Sequence, residues 1–215
     1  MDIVLKYFSE FTDEQLKQFA ALEALYKEWN AKINVISRKD IDSLYEKHVL
    51  HSLSIAAVFH FNDGSQVADL GSGGGFPGVP LAIFFPKVQF HLVDSIAKKL
   101  KVVEEVSRAA GIHNITTQHS RFEDIKNRQF DFVVSRAVAP LRDLWKWSKP
   151  LIKKAKSNLT EKNDEPFYAP GLICLKGGDL AAEIQDSHTR PHVIPVKDIF
   201  DEPFFDEKYL VYVKK

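Results

Sequence analysis

The chain is poor in reactive and cross-linking side chains. Its 215 residues include one cysteine, Cys174, and one methionine, Met1. A single cysteine excludes a disulfide within the chain and fits a reducing compartment. Set in Leu172-Ile173-Cys174-Leu175, it reads as a buried strand thiol rather than a nucleophile. Net charge is missing too. Twenty-nine Lys and Arg balance 29 Asp and Glu, so there is no global basic field, and any nucleic-acid site must be local. No apolar run reaches the roughly 18 residues that a membrane span needs, and Met1-Asp2-Ile3-Val4-Leu5-Lys6 does not make a signal peptide. A soluble, cytoplasmic protein is expected. Glycine is scarce at ten residues, yet five of the ten fall between 71 and 78.

That concentration is the main signal present. Val67-Ala68-Asp69-Leu70 reads as a strand, Gly71-Ser72-Gly73-Gly74-Gly75-Phe76-Pro77-Gly78 as a tight turn, and Pro77 and Pro80 mark the first turn of a helix. Without a Cβ, such a turn lets a ligand lie against the backbone. The following helix N-terminus offers unpaired N–H groups and partial positive charge, which suits a cofactor with an anionic end.

With 45% hydrophobic residues, the chain can build one α/β domain plus an appendage. Thr12-Asp13-Glu14-Gln15 forms a capping box, and Leu16, Phe19, Leu22, Leu25, Tyr26 and Trp29 follow at helical spacing to about residue 31. A second helical stretch covers about 41–60. Residues 1–62 are therefore expected to form a helical cap, with Asn62-Asp63-Gly64-Ser65 as the turn into a 63–215 domain. Strands are predicted at 66–70, 88–93, 115–119, 130–135, 172–176, 193–196 and 209–213, and helices at 79–85, 97–110, 141–152 and 179–186. This alternation indicates an α/β, doubly wound, mostly parallel seven-stranded Rossmann-like sheet. The last two strands have no clear helix between them, which suggests an antiparallel hairpin. The polar stretch 153–164 reads as a flexible loop.

In an open α/β sheet, ligands bind at the carboxyl ends of the strands. Those ends carry the glycine turn, Asp94, Ser120-Arg121-Phe122-Glu123, Ser135-Arg136-Ala137 and Lys176-Gly177. Asp94 lies 21 residues after Gly73, close to the roughly 20 expected of an acid that holds ribose hydroxyls. Two cofactors fit. Gly73, Gly75 and Gly78 satisfy the G-x-G-x-x-G of NAD sites, while Asp69, Gly71 and Gly73 supply the D-x-G-x-G common in S-adenosylmethionine (SAM) sites. Competing structural readings are a glycine turn that serves strand–helix packing and an Asp94 that caps the next helix.

The ordered set of motifs discriminates further. Trp29-Asn30 with Ile33-Asn34, Lys47-His48-Val49-Leu50-His51-Ser52-Leu53, the Gly-Phe-Pro-Gly end of the 69–80 loop, Leu92-Val93-Asp94-Ser95 with Lys98-Lys99, Ser120-Arg121-Phe122-Glu123, Ser135-Arg136-Ala137 and Leu175-Lys176-Gly177 appear in sequence. Together the chain resembles the bacterial small-subunit (16S) ribosomal RNA guanine-N7 methyltransferases, once called glucose-inhibited division protein B. The resemblance implies a SAM-dependent methyltransferase fold with an N-terminal cap. It implies that Gly71, Gly73 and Phe76 line the methionine and ribose side of SAM, that Asp94 holds the ribose, and that Phe122 and Glu123 frame the adenine. Arg136 would sit at the mouth of the pocket, near both cofactor and base, with Asn34, His48 and Arg121 on the substrate side. The family usually has an arginine before its last strand. Here Lys208 stands there, keeping the charge but not the planar fork.

The implied chemistry needs few residues. Guanine N7 carries a lone pair and no proton, so no general base is required, and alignment of two bound reactants supplies roughly 7–11 kcal/mol in favourable cases. The methylated base is cationic, so Arg136 and Arg121 are expected on phosphate, cofactor carboxylate or base edge rather than against the ring. Between 142 and 156, Arg142, Lys146, Lys149, Lys153, Lys154 and Lys156 interleave with Trp145 and Trp147. They form a candidate RNA strip; the preferred competing reading is a solvated helix face with packed tryptophans. His48 and His51 share a helix side but lack a third ligand, so no metal is expected, and His51 reads as structural. The partner is 16S rRNA or the small subunit, and the protein is taken as a monomer. Alternatives are a SAM enzyme acting on another RNA or a small molecule, an NAD-dependent oxidoreductase, for which a Tyr-x-x-x-Lys after strand four is missing, and an RNA-binding protein without catalysis.

Overall fold

A computed structural model describes residues 1–136, 138–154 and 168–215. Seven strands form one sheet: β1 (Gln66–Leu70), β2 (Gln89–Asp94), β3 (Ile115–His119), β4 (Phe132–Arg136), β5 (Gly171–Gly177), β6 (His192–Pro195) and β7 (Lys208–Lys214). Their order is β3-β2-β1-β4-β5-β7-β6. The first five are parallel; β7 runs antiparallel to both β5 and β6. The doubly wound sheet is thus as the sequence indicates, and β6 and β7 do pair antiparallel. The addition is that β7 inserts between β5 and β6 rather than extending the edge. An all-parallel dinucleotide-binding sheet has the order 3-2-1-4-5-6, so the inserted strand separates the two architectures.

The central strands read as continuous apolar runs because both faces are covered. Alternate residues of one strand feed two cores. Val67, Leu92, Phe132, Val134, Ile173 and Leu210 face the larger cluster, while Ala68, Val93, Val133, Leu172 and Val211 face the smaller. Helices α2 (Asp13–Lys32), α3 (His51–Val58), α4 (Gly78–Phe84) and α5 (Ala97–Ala110) supply the larger cluster; α6 (Leu141–Ser148) and α7 (Ala181–Ser187) cover the other face. A short helix, α1 (Asp2–Leu5), went unread in the sequence; it buries Val4.

The capping box forms: Gln15 N–H donates to Thr12 Oγ1 (3.3 Å), and Thr12 N–H donates to Gln15 Oε1 (2.9 Å). The Gln15 amide does a second job, donating to the Ile83 and Phe84 carbonyls at 2.9 and 3.1 Å. These belong to the unpaired carbonyls that every helix C-terminus leaves, here that of α4. Phe19, Leu22 and Tyr26 form the buried face of α2, each worth about 1.5–3 kcal/mol of burial.

The predicted helix over 41–60 is not uniform. A 3₁₀ turn (Ile41–Ser43) leads into a π-helical segment (Tyr45–Leu50) and then α3. The wider winding of a π segment rotates side chains off the 3.6-residue repeat, and such segments concentrate at functional sites. The predicted 141–152 helix is α6 followed by a 3₁₀ turn (Lys149–Leu151), after which Ile152 bridges Phe130. Trp145 and Trp147 pack against the cluster under α6, as the competing reading of that strip had it. Of its cations, Arg142 pairs with Asp186 (3.2 Å) and Lys153 with Asp131 (2.9 Å). Lys156 and the predicted loop beyond residue 154 lie outside the described residues. Cys174 is fully buried, and burial raises its thiol pKa to about 12, which makes it unreactive.

Candidate active site

The carboxyl ends of β1, β2, β4 and β5 open onto a cavity of about 970 Å³, at the upper end of the usual range for ligand sites. Its lining includes Gly71, Gly73, Phe76, Asp94, Arg136 and His48, six of the sequence-predicted residues. An adjoining cavity of about 240 Å³ is lined by Arg121, Phe122 and Glu123, and shares Gly71, Asp94, Ser95 and Val138 with the first. Nine of the predicted positions therefore line these two adjoining cavities. Asn34 does not line either cavity: it is exposed, and its neighbour Val35 forms the wall. Asn30 shapes that loop. Its Oδ1 accepts from Val35 and Ile36 N–H at 2.8 and 2.9 Å, and its amide donates to the Ile36 carbonyl.

The glycine turn is fixed by two carboxylates and a tyrosine. Asp94 Oδ2 accepts from Gly73 N–H (2.9 Å) and Oδ1 from Ile96 N–H (2.9 Å), so it clamps the turn to the end of β2 and also serves the entry to α5. Asp69 is fully buried beneath the turn and accepts from Gly78 N–H at 2.8 Å. Burial raises its pKa to about 7, against the opposing pull of that N–H and of Arg136. Tyr26 donates from its hydroxyl to the Gly74 carbonyl (2.7 Å). Two glycines serve the turn in different ways. Gly75 has φ +101, and a Cβ there would meet Val79 at 2.6 Å and Tyr26 Oη at 3.1 Å. Gly73 has φ +56, and a Cβ there would meet nothing within 4 Å; the missing side chain leaves bare backbone at the cavity wall.

The other end of the cavity is organised by Arg136 at the tip of β4. Its guanidinium donates to His48 Nδ1 (2.8 Å) and to the Lys47 carbonyl (3.1 Å), and lies over the Phe76 ring at 5.3 Å. Phe76 is in turn flanked by Tyr26 (4.8 Å) and His48 (5.1 Å). A guanidinium can only donate, so His48 Nδ1 is the acceptor and Nε2 carries the proton. Burial, reinforced by Arg136, lowers the His48 pKa to about 3; burial and the same arginine do so for His51. Burial also lowers Arg136 to about 10, leaving it charged. Around Arg136 the site thus sets a buried cation against two neutral imidazoles. Three buried polar atoms of lining residues, His48 Nε2, His51 Nε2 and Ser72 Oγ, have no protein partner among the described residues, a pattern that concentrates where ligands bind.

Several lining residues had no role in the sequence reading. Ile96 and Val138 are large apolar side chains 40% and 43% exposed, and both line the opening. Lys176 donates to the Ala139 carbonyl and pairs with Glu183, both at 2.6 Å, while Glu183 accepts from Leu141 N–H (2.7 Å); this ties the loop after β4 to α7. Asp40, Lys47 and Phe204 complete the wall. Lys176 stands at the strand end and Lys47 in the motif that the sequence reading picks out; Asp40, Ile96, Val138, Glu183 and Phe204 carry no such local pattern, since each reaches the cavity only through the tertiary fold. Lys208 lines the same end, with its ammonium 5.4 Å from the Phe204 ring. Among the described residues, no group of three or more His, Cys, Asp or Glu is placed to hold a metal ion, and no helix is long and apolar enough to cross a membrane.

Comparison with known proteins places this geometry in context. The profile of the rRNA small subunit methyltransferase G family matches residues 13–167. Proteins named ribosomal RNA small subunit methyltransferase G are similar over nearly the whole chain. The one from Bacteroides thetaiotaomicron is 54% identical over 212 residues, covering 99% of this chain and 98% of that protein. The one from Cytophaga hutchinsonii is 52% identical over 215 residues, covering 99% of each. Among solved structures, a SAM-dependent methyltransferase from Aquifex aeolicus shares the fold with a TM-score of 0.57 at 16% identity, over 83% of this chain and 98% of that one. A mutant of MtNAS in complex with S-adenosylmethionine gives 0.58 at 14% identity, over 94% and 77%.

Proposed function

The chain belongs to the rRNA small subunit methyltransferase G family, and from that premise we propose that it transfers a methyl group from SAM to N7 of a guanine in 16S rRNA. The observation that carries the reading is the single opening at the carboxyl ends of β1, β2 and β4. It joins a glycine turn clamped by Asp94 to a buried arginine and two uncharged histidines.

The residues present fit the cofactor. Gly71, Gly73 and Phe76 would line its methionine and ribose side, the Asp94 carboxylate would accept the ribose hydroxyls, and Phe122 and Glu123 would frame the adenine in the adjoining cavity. Val138, which lines both cavities, offers an apolar wall to that ring. When bound, SAM supplies a sulfonium methyl that a lone pair can displace without any proton being removed. The task of the protein is then alignment and exclusion of water. Arg136, held by the Lys47 carbonyl and His48, stands at the boundary between cofactor and base. His48 and His51, kept neutral by burial, add no charge against a base that becomes cationic. Arg121 lies 75% exposed at the rim, where it suits RNA phosphate, and Asn34 is exposed on the loop next to the cavity-lining Val35. In this reading residues 1–62 act as the cap that carries the substrate-side groups onto the 63–215 domain. The enzyme works as a monomer in the cytoplasm, without a metal.

The test is to incubate the protein with radiolabelled SAM and small ribosomal subunits from a strain lacking the activity, then to map the label. Label on N7 of one guanine is expected. Label on a small molecule in the absence of RNA, or none on guanine N7, would overturn the reading.

A further inference from the structure

We propose that Asp40 is the specificity-determining residue for guanine, its carboxylate accepting the N1–H and N2–H₂ donors of the target base. The proposal rests on the methyl-transfer reading above and extends it to how the base is chosen.

Asp40 lines the main cavity at the end away from Asp94, beside Lys47, His48 and Arg136. It stands where the 3₁₀ turn Ile41–Ser43 begins; its N–H donates to the Ser37 carbonyl (2.9 Å) and its own carbonyl accepts from Ser43 N–H (2.9 Å), so backbone bonds on both sides fix its place. Lys47 donates to Oδ1 at 2.6 Å, and no hydrogen bond reaches Oδ2 from the described residues. The side chain is 32% exposed and lines the cavity, and Oδ2 is not among the buried unpartnered polar atoms. The Lys47 ammonium, opposed by burial, holds the carboxyl below the usual carboxylate range, so it is ionised at neutral pH.

The chemistry around it selects one kind of base edge. Beside it Arg136, Lys208 and the His48 imidazole, whose proton is on Nε2, are donors, and the other carboxylate of the lining near them, Glu183, is already engaged by Lys176 and by Leu141 N–H. Donors suit the O6 side of guanine and say nothing about its other edge. The N1–H and N2–H₂ pair is the feature that separates guanine from adenine, which presents an acceptor at N1. A carboxylate is the natural partner for two adjacent donors, and charge-assisted bonds of this kind are about twice as strong as neutral ones. The same contact favours the reaction. Methylation at N7 gives the ring a positive charge and makes N1–H more acidic, so the bond to Asp40 strengthens as the transition state forms.

A purely structural Asp40, present only to neutralise Lys47, makes a different prediction, and inosine tells the two apart. Inosine keeps N7, O6 and N1–H but lacks the N2 amino group. Small-subunit RNA carrying guanosine or inosine at the methylated position is offered to the wild type and to Asp40→Asn, with kcat and KM measured for each. Calorimetry with SAM reports the integrity of the variant. The wild type is expected to prefer guanosine by roughly 10- to 100-fold in kcat/KM, the range for a well-made bidentate base contact. In Asp40→Asn that preference falls to within a few-fold, with part of the loss in kcat. Equal use of guanosine and inosine by the wild type overturns the proposal whatever the variant does, and so does an unchanged preference in a variant that binds SAM. Failure of the wild type to methylate the guanosine RNA removes the methyl-transfer reading itself, and this proposal with it.

Discussion

The two ends of the cavity are built by different means. At the end formed by β1 and β2, backbone does the shaping. Positive-φ glycines turn the chain, and carboxylates at the strand ends, Asp69 and Asp94, catch the N–H groups of Gly78 and Gly73. At the end formed by β4 and the π-helical segment, side chains do it. Arg136 reaches His48 and the Lys47 carbonyl across 88 and 89 positions of sequence, and the titratable groups are tuned by one another. At the first end three side chains, Asp69, Asp94 and Tyr26, all hold the backbone of one short turn, so its conformation is over-determined. The second is specific because long-range partners hold it, and it is correspondingly easy to disable one group at a time.

The largest effect is expected at the side-chain end. Arg136→Ala should cut methyl transfer by roughly 10²–10³-fold, the cost of losing one positioned donor, with the circular dichroism spectrum retained. Wild-type turnover would show that the second end does not depend on its arginine. The backbone end should instead break as structure. Gly75→Ala forces a side chain into a left-handed conformation against Val79, and should cost about 2–4 kcal/mol of stability, read by urea unfolding. If that variant is as stable as the wild type, the turn is not over-determined.

This contrast also decides how much the sequence reveals. The β1–α4 turn is legible because glycine spacing and a following proline are local signals, and the capping box at Thr12 is legible for the same reason. Asp40 and Phe204 carry no such signal; they become lining residues only once α2, the π-helical segment and β7 converge. The helix over 41–60 was half legible. Its apolar content is right, but a π segment keeps no 3.6-residue repeat to read. The insertion of β7 was not legible either, since a hairpin pattern is the same whether its second strand lies at the edge or inside it.

Smaller effects sharpen the comparison. Asp94→Ala should weaken SAM binding by about 1.5–3 kcal/mol in calorimetry, since a charged acceptor that also holds two backbone N–H groups is lost. Unchanged affinity would detach Asp94 from the cofactor. The histidines should appear in the pH dependence of stability. The pKa of His51 is lowered by burial from 6.5 to about 3 in the fold. Its contribution is therefore complete above pH 6.5 and is lost as pH falls toward 3, by up to about 1.4 kcal/mol per pH unit. Asp69 runs the other way: raised to about 7, it favours the fold below pH 4 and ceases to do so as pH rises to 7. Urea unfolding of His51→Gln between pH 6.5 and 4 should show a shallower loss than the wild type; a parallel loss would mean that His51 titrates normally.

The place of β7 bears on how the molecule comes into being. Strand β6 pairs with no other strand but β7 among the described residues, and β7 follows it in the chain. The four residues of β6 thus have no place in the sheet without β7 beside β5. Phe204 and Lys208, at the entrance to that same strand, arrive with it. The strand that completes the sheet is therefore also the one that completes this wall of the cavity, so a chain truncated before β7 would lack both.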